Sequence, residues 1–450
     1  MEEIRIPSGA ARILKILEEA GHEAFVVGGC VRDALMGRIP KDWDITTSAK
    51  PQEIKALFQR TIDTGLKHGT ITVRMDGASY EVTTYRIDGD YADHRHPDQV
   101  TFTTRLEDDL LRRDLTVNAM AYNERRGIVD PFGGQDDLKA GIVRAVGDAM
   151  KRFDEDALRM MRAVRFCAQL DFTMEDATKE AVRTLAPTLS KVSAERIRDE
   201  LEKILISDHP EYVRKLYALG LTKVFFPELS AMMDTAQNNP HHCYNVGEHT
   251  LHALEASVND RLVRVTILLH DVAKPLTKTT DAGGIDHFKG HPSRGAELAE
   301  TILRRWKEDT QTVTRVKNLI KWHDLRPESD PVSVRTMAAR VGRTEVSALL
   351  DVMEADVKGQ SSYLQKEKLT RLEEIRREWA RIEEAEEPLA IADLAVNGQD
   401  LMDAGLPAGP ALGEKLHEML CEVLREPAHN DKEWLLKRFV GNRGKRQDGE

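Results

Sequence analysis

Strand-like runs are confined to the first third of this chain, and that restriction narrows the folds open to it more than any other feature. Phe25-Val26-Val27, Ile71-Thr72-Val73 and Tyr80 to Tyr85 are rich in β-branched and aromatic residues and are bounded by Gly or charged turns, as strands are. Between them, Ala10 to Ala20 and Gln52 to Phe58 carry helical spacing. From about Leu138 onward such runs almost vanish. Glu155 to Leu170, Ala194 to Ile206 and Glu297 to Trp306 instead show apolar stripes at i, i+3 and i+4 among many charges. The pattern predicts an α+β N-terminal head, a mixed sheet with helices, followed by all-α domains.

A chain of 450 residues with 41% apolar side chains suggests about three domains of ~150 residues, each with its own core. The Pro/Asn/His cluster Asn238-Asn239-Pro240-His241-His242 interrupts the helices and marks a boundary near residue 235. Gln365 to Glu387 alternates Lys/Arg with Glu and reads as a solvated helix laced with i, i+4 ion pairs. With 31% charged residues, and 17 Pro and 29 Gly spread along the chain, low-complexity and collagen-like classes are excluded. Apolar stretches such as Val265 to Leu269 fall far short of the ~20 residues of a membrane helix, and the N-terminus carries Glu2 and Glu3, so neither membrane insertion nor secretion is expected. Cys30, Cys167, Cys243 and Cys421 form no close pair, which points to a reducing cytoplasm and away from a disulfide framework. The net charge of -11, from 65 Lys+Arg against 76 Asp+Glu, argues against coating nucleic acid by bulk charge and leaves a local basic face open.

Two motifs near the start carry chemistry. Val26-Val27-Gly28-Gly29-Cys30-Val31-Arg32-Asp33 reads as a strand that ends in two glycines and opens into a helix, where backbone can approach a ligand and free N-H groups favour an anion. Arg32 could add a bidentate grip on a phosphate. Shortly after comes Lys41-Asp42-Trp43-Asp44-Ile45. If this is a strand, Asp42 and Asp44 share a face and repel each other unless a cation lies between them. Mg²⁺ is held by such oxygens together with substrate phosphates. Glu81, on a strand of the same sheet, is the candidate for a third acidic group.

The order Gly28-Gly29-x-Val31-Arg32-Asp33, Asp42-x-Asp44, Arg112-Arg113-Asp114-x-x-x-Asn118 and Glu155-Asp156-x-x-Arg159 resembles the bacterial-type, or class II, tRNA nucleotidyltransferases. These CCA-adding enzymes belong with poly(A) polymerases in the polymerase-β-like superfamily. The resemblance covers residues 20 to 230 motif by motif and the remainder more loosely. It implies a nucleotidyltransferase head over residues 1–140, a helical nucleotide-selecting and RNA-binding neck over 141–235, an HD domain over 236–360 and a helical tRNA-binding tail over 361–450.

By this resemblance Asp42 and Asp44 are catalytic, holding Mg²⁺ against the triphosphate and the 3'-hydroxyl of the RNA, and Glu81 stays beside them as the candidate third catalytic carboxylate. Gly29 and Arg32 contact the triphosphate, and Arg113, Asp114 and Asn118 hold phosphate and sugar hydroxyls. Asp156, Arg159, Arg162 and Arg165 recur every three residues, a row that winds by ~60° per step round a straight helix, so all four cannot read one base. A carboxylate accepting from an exocyclic amine beside a guanidinium donating to a ring nitrogen suits adenine and cytosine and opposes guanine and uracil. The resemblance gives that role to Asp156 and Arg159, and Arg162 and Arg165 then bind the nucleotide at the base edge or the phosphates. Tyr85 to Phe102, with Arg86, Asp88, Gly89, Asp90, His94, Arg95, His96 and Pro97, is polar and poorly periodic and looks like the loop such enzymes use in passing from C to A addition.

His249, His270-Asp271 and Asp356 occur in the order of the HD superfamily of metal-dependent phosphohydrolases, with His291 and His323 between them. Such ligands suit Mn²⁺, Ni²⁺ or Co²⁺, or Mg²⁺ more weakly. Asn397-Gly398-Gln399-Asp400 and Gly405-Leu406-Pro407 resemble the turn and helix found late in the family, and Lys437, Arg438, Arg443, Lys445 and Arg446 make the end of the chain basic. The expected function is template-independent addition and repair of the tRNA 3'-CCA with CTP, ATP and Mg²⁺. The alternatives are a poly(A) polymerase or A-adding enzyme, or, from another class, an HD phosphohydrolase whose head binds RNA. Partners are tRNA, ATP and CTP, without a membrane.

Overall fold

The structure is a computed structural model and describes residues 4–89 and 100–441. Two compact units divide it, Met1–Ser230 and Ala231–Glu450. The first begins with helix α1 (Ser8–Glu19), followed by β1 (Ala24–Val27), α2 (Gly29–Leu35), β2 (Ile45–Thr47), α3 (Pro51–Leu57), β3 (Thr61–Gly65), β4 (Thr70–Met75) and β5 (Ala78–Thr84). Then come β6 (Arg86–Asp88), β7 (Val100–Phe102), α4 (Leu106–Leu111), β8 (Ala121–Asn123), β9 (Gly127–Val129), α5 (Gly134–Ala140) and β10 (Ile142–Val143).

Seven strands form one mixed sheet in the order β3-β4-β5-β2-β1-β8-β9. β2 runs parallel to β5 and antiparallel to β1, and β1 is antiparallel to β8. Alternation along β1 sorts its side chains: Ala24 and Val26 join the core built with Ile13, Leu14 and Leu17 of α1 and Ile54 of α3, while Phe25 and Val27 join Leu106 and Leu110 of α4 on the other face. Ala10, Ile13, Leu14 and Leu17 make the i, i+3, i+4, i+7 stripe that binds α1 to the sheet. A sheet sandwiched this way holds its strands rigidly; Gly28 follows the end of β1, Asp44 precedes the start of β2 and Glu81 lies within β5.

The rest of the first unit is mainly helical, with α6 (Ala149–Glu155), α7 (Leu158–Leu170), β11 (Thr173–Met174), α8 (Asp176–Leu185), α9 (Ala194–Leu205), α10 (Val213–Ala218), α11 (Thr222–Phe225) and α12 (Glu228–Asp234). The second unit contains α13 (Val246–Glu255), α14 (Arg261–Leu269), α15 (Lys274–Thr277), β12 (Thr279–Thr280), β13 (Asp286–His287), α16 (His291–Arg305), α17 (Thr310–Trp322) and α18 (Pro331–Val341). It ends with α19 (Val346–Gly359), α20 (Gln365–Glu384), α21 (Gly398–Asp403), α22 (Pro410–Arg425) and α23 (Lys432–Phe439). One apolar core runs from Leu319 through Trp379 to Leu435.

The region after the head is helical as expected, with two short two-stranded ladders added, β10 with β11 and β12 with β13. Two expectations need correction. The segment Tyr85 to Phe102 is not loop at its ends, since β6 and β7 pair with Arg86 opposite Phe102; Asp90, His94, Arg95, His96 and Pro97 lie outside the described residues. Helix α20 is not merely solvated: Leu372, Ile375, Trp379 and Ile382 form a buried stripe on it. Arg443, Lys445 and Arg446 also lie outside the described residues. Among those described, no helix is long and apolar enough to cross a membrane.

Candidate active site and metal centre

The antiparallel pairing of β1 with β2 sets Val26 opposite Ile45, so the end of β1 meets the start of β2. The Gly28-Gly29 turn therefore lies beside Asp44, whose carbonyl accepts from the Val27 N-H at 3.0 Å. Asp42 and Asp44 are not within a strand as the spacing suggested; they lie in the lead-in, and β2 begins only at Ile45. On the other side, parallel pairing sets Ile45 opposite Val82, which brings Glu81 next to Asp44. Crowding by the surrounding protein, together with the like charges of Glu81 and Asp42, raises the Asp44 pKa, against the pull of Arg113. All three carboxylates are exposed to solvent and open to a ligand.

Gly28 has φ +82°, a backbone conformation that favours glycine, and a Cβ there would stand 2.8 Å from Arg113 Nη1 and displace that guanidinium. Arg113 reaches the site from just after α4 and is anchored by buried Asp109, 3.8 Å from its Nη2. Asp109 accepts from Arg112 Nε at 2.9 Å and from Thr46 Oγ1 at 3.0 Å, tying α4 to β2. Sequence reasoning missed Asp109. Its only signal was an acidic run, Glu107-Asp108-Asp109, one helical turn before the arginine pair.

Arg32, on α2, donates to Asp33 at 2.7 and 2.9 Å and to the Asn118 side-chain oxygen. Asn118 in turn donates to Asp114 at 3.2 Å, and Arg162 Nε donates to Asp114 at 2.7 Å. Burial alone would raise the Asp114 pKa, but the Arg162 guanidinium and the Asn118 amide hold it well below the usual carboxylate range. This chain of contacts joins α2 to α7. Phe166 of α7 completes it: guanidinium carbons of Arg165, Arg32 and Arg162 lie 4.2, 4.9 and 5.8 Å from its ring centre.

Asp156 does not share a helix with the arginines. It has extended backbone, φ -140° and ψ 104°, in the break between α6 and α7. Its carboxylate accepts from Arg196 Nη2 at 2.9 Å and from the Leu158 N-H at 3.1 Å. Arg159 donates to Glu155 at 2.7 Å and to the carbonyls of Arg152 and Arg112 at 3.0 Å each, and Arg165 lies 3.2 Å from buried Glu200. Asp156, Arg159, Arg162 and Arg165 thus each have an opposite charge of their own. Arg196 and Glu200, one helical turn apart on α9, went unnoticed in the sequence because an Arg and a Glu on an amphipathic helix look like ordinary solvated charges.

In the second unit, six dispersed side chains meet. His249 comes from α13, His270 and Asp271 from the end of α14, His291 from the start of α16, His323 from the end of α17 and Asp356 from α19; all are buried. His249 Nε2 lies 2.9 Å from Asp356 Oδ1 and 3.5 Å from Asp271 Oδ2, and His270 Nε2 lies 3.2 Å from Asp271 Oδ2. Lys274 Nζ lies 2.6 Å from Asp271 Oδ2, whereas Asp271 Oδ1 and His270 Nε2 have no aligned hydrogen-bond partner. Buried carboxylate and imidazole groups left in this state fit a cation.

Family models match three stretches: "Poly A polymerase head domain" over residues 24–144, "Probable RNA and SrmB- binding site of polymerase A" over 171–233, and "tRNA nucleotidyltransferase domain 2 putative" over 293–439. The CCA-adding enzyme of Lactobacillus delbrueckii subsp. bulgaricus is 35% identical over 423 residues, 94% of each chain, and that of Geobacillus thermodenitrificans is 35% identical over 95% of this chain and 96% of its own. A Bacillus stearothermophilus CCA-adding enzyme crystallised with CTP superposes with a TM-score of 0.71 at 32% identity, covering 96% of both chains. Identity of this extent along nearly the whole length shows that the chain belongs to the CCA-adding enzymes, the tRNA nucleotidyltransferases of bacterial type.

Proposed function

We propose that this protein builds and repairs the 3'-terminal CCA of tRNA from CTP and ATP, with Asp42 and Asp44 holding Mg²⁺. The observation that carries this reading is the meeting of Asp42, Asp44 and Glu81 beside the Gly28-Gly29 turn. Divalent-cation dependence follows from the family, and three crowded carboxylates of like charge fit such an ion. When bound, the ion lowers the pKa of the attacking hydroxyl and offsets charge on the leaving pyrophosphate. The 3'-hydroxyl gives up its proton to solvent as its oxygen attacks the α-phosphorus, the α–β bridging P–O bond breaks, and pyrophosphate leaves.

The chain's own residues supply the positioning. Gly29, the first residue of α2, offers a backbone N-H to the triphosphate, and Arg113, facing Gly28, supplies positive charge. Arg32, Asn118 and Asp114 form the connected floor for phosphate and sugar hydroxyls. Asp156, with lone pairs left beside its Arg196 contact, accepts from the exocyclic amine of adenine or cytosine, and Arg159 donates to the neighbouring ring nitrogen. Arg162 and Arg165 brace this edge through Asp114 and Glu200. The head, neck, HD and tail segments, 1–140, 141–235, 236–360 and 361–450, are the division of roles that goes with this reading. Four unpaired cysteines suit a cytoplasmic setting.

The test uses purified protein with tRNA lacking CCA, tRNA ending in C and tRNA ending in CC, each nucleotide offered singly. C, C and A should be added in turn and synthesis should stop. Long A tails would mean a poly(A) polymerase, and extension of the CC-ending tRNA alone an A-adding enzyme.

A second reading applies to the helical unit. The convergence of His249, His270, Asp271 and Asp356 supports an HD-type centre that hydrolyses phosphate esters, with Mn²⁺, Ni²⁺ or Co²⁺ as its cation. Water would attack phosphorus, the ester P–O bond would break and the leaving oxygen would take the proton. His270→Ala and Asp271→Ala should abolish both bound metal and phosphatase activity; loss of neither would end this reading.

A further inference from the structure

We infer that Phe166 is a positioning residue for the triphosphate and for base choice, acting through the three guanidinium groups that rest on its ring. The inference rests on the nucleotidyl-transfer reading above and adds to it a side chain with neither charge nor hydrogen-bonding group. Phe166 lies on α7 one helical turn beyond Arg162 and directly after Arg165, and only 6% of it is exposed.

The arginines reach the ring from two helices. Arg162 and Arg165 belong to α7 itself, and Arg32 comes from α2, just after the Gly28-Gly29 turn. Their guanidinium carbons lie 5.8, 4.2 and 4.9 Å from the ring centre, over the face whose π-electrons attract a cation. Like charges so close repel one another. Burial, together with Arg162 and Arg32, brings the Arg165 pKa down to about 10 against the pull of Glu200. Each arginine has a separate carboxylate, Asp33 at 2.7 Å from Arg32, Asp114 at 2.7 Å from Arg162 and Glu200 at 3.2 Å from Arg165. Those carboxylates hold the arginines one at a time, whereas the ring is common to all three.

The ring therefore joins the phosphate grip on α2 to the helix that braces the base edge. A leucine there would fill space without offering a negative face, so packing and attraction are separable by experiment. In the proposed scheme Arg32 holds the triphosphate equally before and during transfer, so loosening it raises KM and leaves kcat nearly unchanged. Loosening Arg162 and Arg165 slackens the base edge and admits UTP more readily.

The test uses full-length protein with Phe166 replaced by phenylalanine carrying one, two or three ring fluorines, which weaken the negative face at nearly constant shape. Addition of a single nucleotide to tRNA lacking CCA is measured at varied CTP and, separately, at varied UTP. KM for CTP should climb with each fluorine to ~2- to 30-fold with three, with kcat within about twofold and preference for CTP over UTP falling in parallel. Phe166→Leu should lose at least as much as the three-fluorine protein, and the fluorine series keeps the test open if that variant does not fold. With Arg32→Met in place, the dependence of KM on fluorine should vanish. A KM that stays flat along the series in a parent that adds CMP would overturn the inference while sparing the reading of function. A rise in Phe166→Leu alone would show a packing role and overturn it too. Dependence that persists with Arg32→Met would overturn the route through Arg32, and unchanged preference would overturn the part given to base choice. A parent that adds no CMP would remove the function itself and this inference with it.

Discussion

Glu81 stands beside Asp44 because β5 runs parallel to β2 with Val82 opposite Ile45. Two carboxylates far apart in sequence thereby share one strand end, and their mutual repulsion adds to crowding in raising the Asp44 pKa above the ordinary 3.8. In the proposed scheme Asp44 loses that proton before a divalent ion binds, so the acid limb of kcat/KM is expected to report it.

Glu81→Gln removes one negative neighbour and keeps the shape. The Asp44 pKa should fall, and the acid limb of kcat/KM for CTP should move to lower pH even if the maximal rate drops. A pH–rate series on both proteins at fixed Mg²⁺ checks this. An unmoved limb would mean that Glu81 does not act electrostatically on Asp44.

Asp42→Ala leaves two of the three carboxylates and should cut nucleotide incorporation by ~10²-fold or more, as loss of a central electrostatic group does. Metal bound by His249, His270 and Asp271 should be unchanged, because those ligands belong to the other compact unit. Incorporation of labelled CMP, measured beside metal content, separates the two. Incorporation at the parent rate would remove the catalytic role given to Asp42.

Asp114 carries a stability prediction. Its folded pKa lies below the unfolded value, so its contribution is complete above the unfolded pKa of ~3.9 and is lost as pH falls toward the folded one. Breaking a buried pair costs ~3–5 kcal/mol, but Arg162 is 35% exposed and water screens it, so Asp114→Asn should cost about 1–3 kcal/mol at pH 7. Urea unfolding of both proteins at pH 7, 5 and 3.5 should show the gap steady at the first two and narrower at the last. A gap that widens on acidification would contradict the pairing.

What the sequence revealed and what it hid divide along physical lines. Short-range patterns were readable: the strand-turn-helix around Gly28, the helical spacing of α1, and the β-branched and aromatic run of β5 that placed Glu81 on a strand. Local breaks were not, because nothing in the period of three from Asp156 to Arg165 shows that the backbone becomes extended at Asp156 and starts a new helix at Leu158. Partners supplied by other elements were also hidden. Asp109, Phe166, Arg196 and Glu200 acquire meaning only when packing brings α4, α7 and α9 to the site. His291 and His323 were visible as histidines, but their Nε2 atoms facing each other is a property of where α16 begins and α17 ends.

Arg196 offers the sharpest test of nucleotide selection, since it touches no base in the proposed scheme and orients the residue that does. Both of its terminal nitrogens face the Asp156 carboxylate, at 2.9 and 3.4 Å. Asp156→Ala removes the acceptor for the exocyclic amine and should weaken preference for CTP and ATP over UTP and GTP by ~5–150-fold, the worth of one mispaired buried polar contact. Arg196→Met keeps the acceptor but frees it to rotate, so discrimination should fall less, with the loss mainly in KM. Arg196→Lys, restoring one positive donor, should recover part of it. Single-nucleotide addition kinetics on tRNA lacking CCA measure all three. Equal loss from Asp156→Ala and Arg196→Lys would show that Arg196 acts on the fold and not on the reading edge.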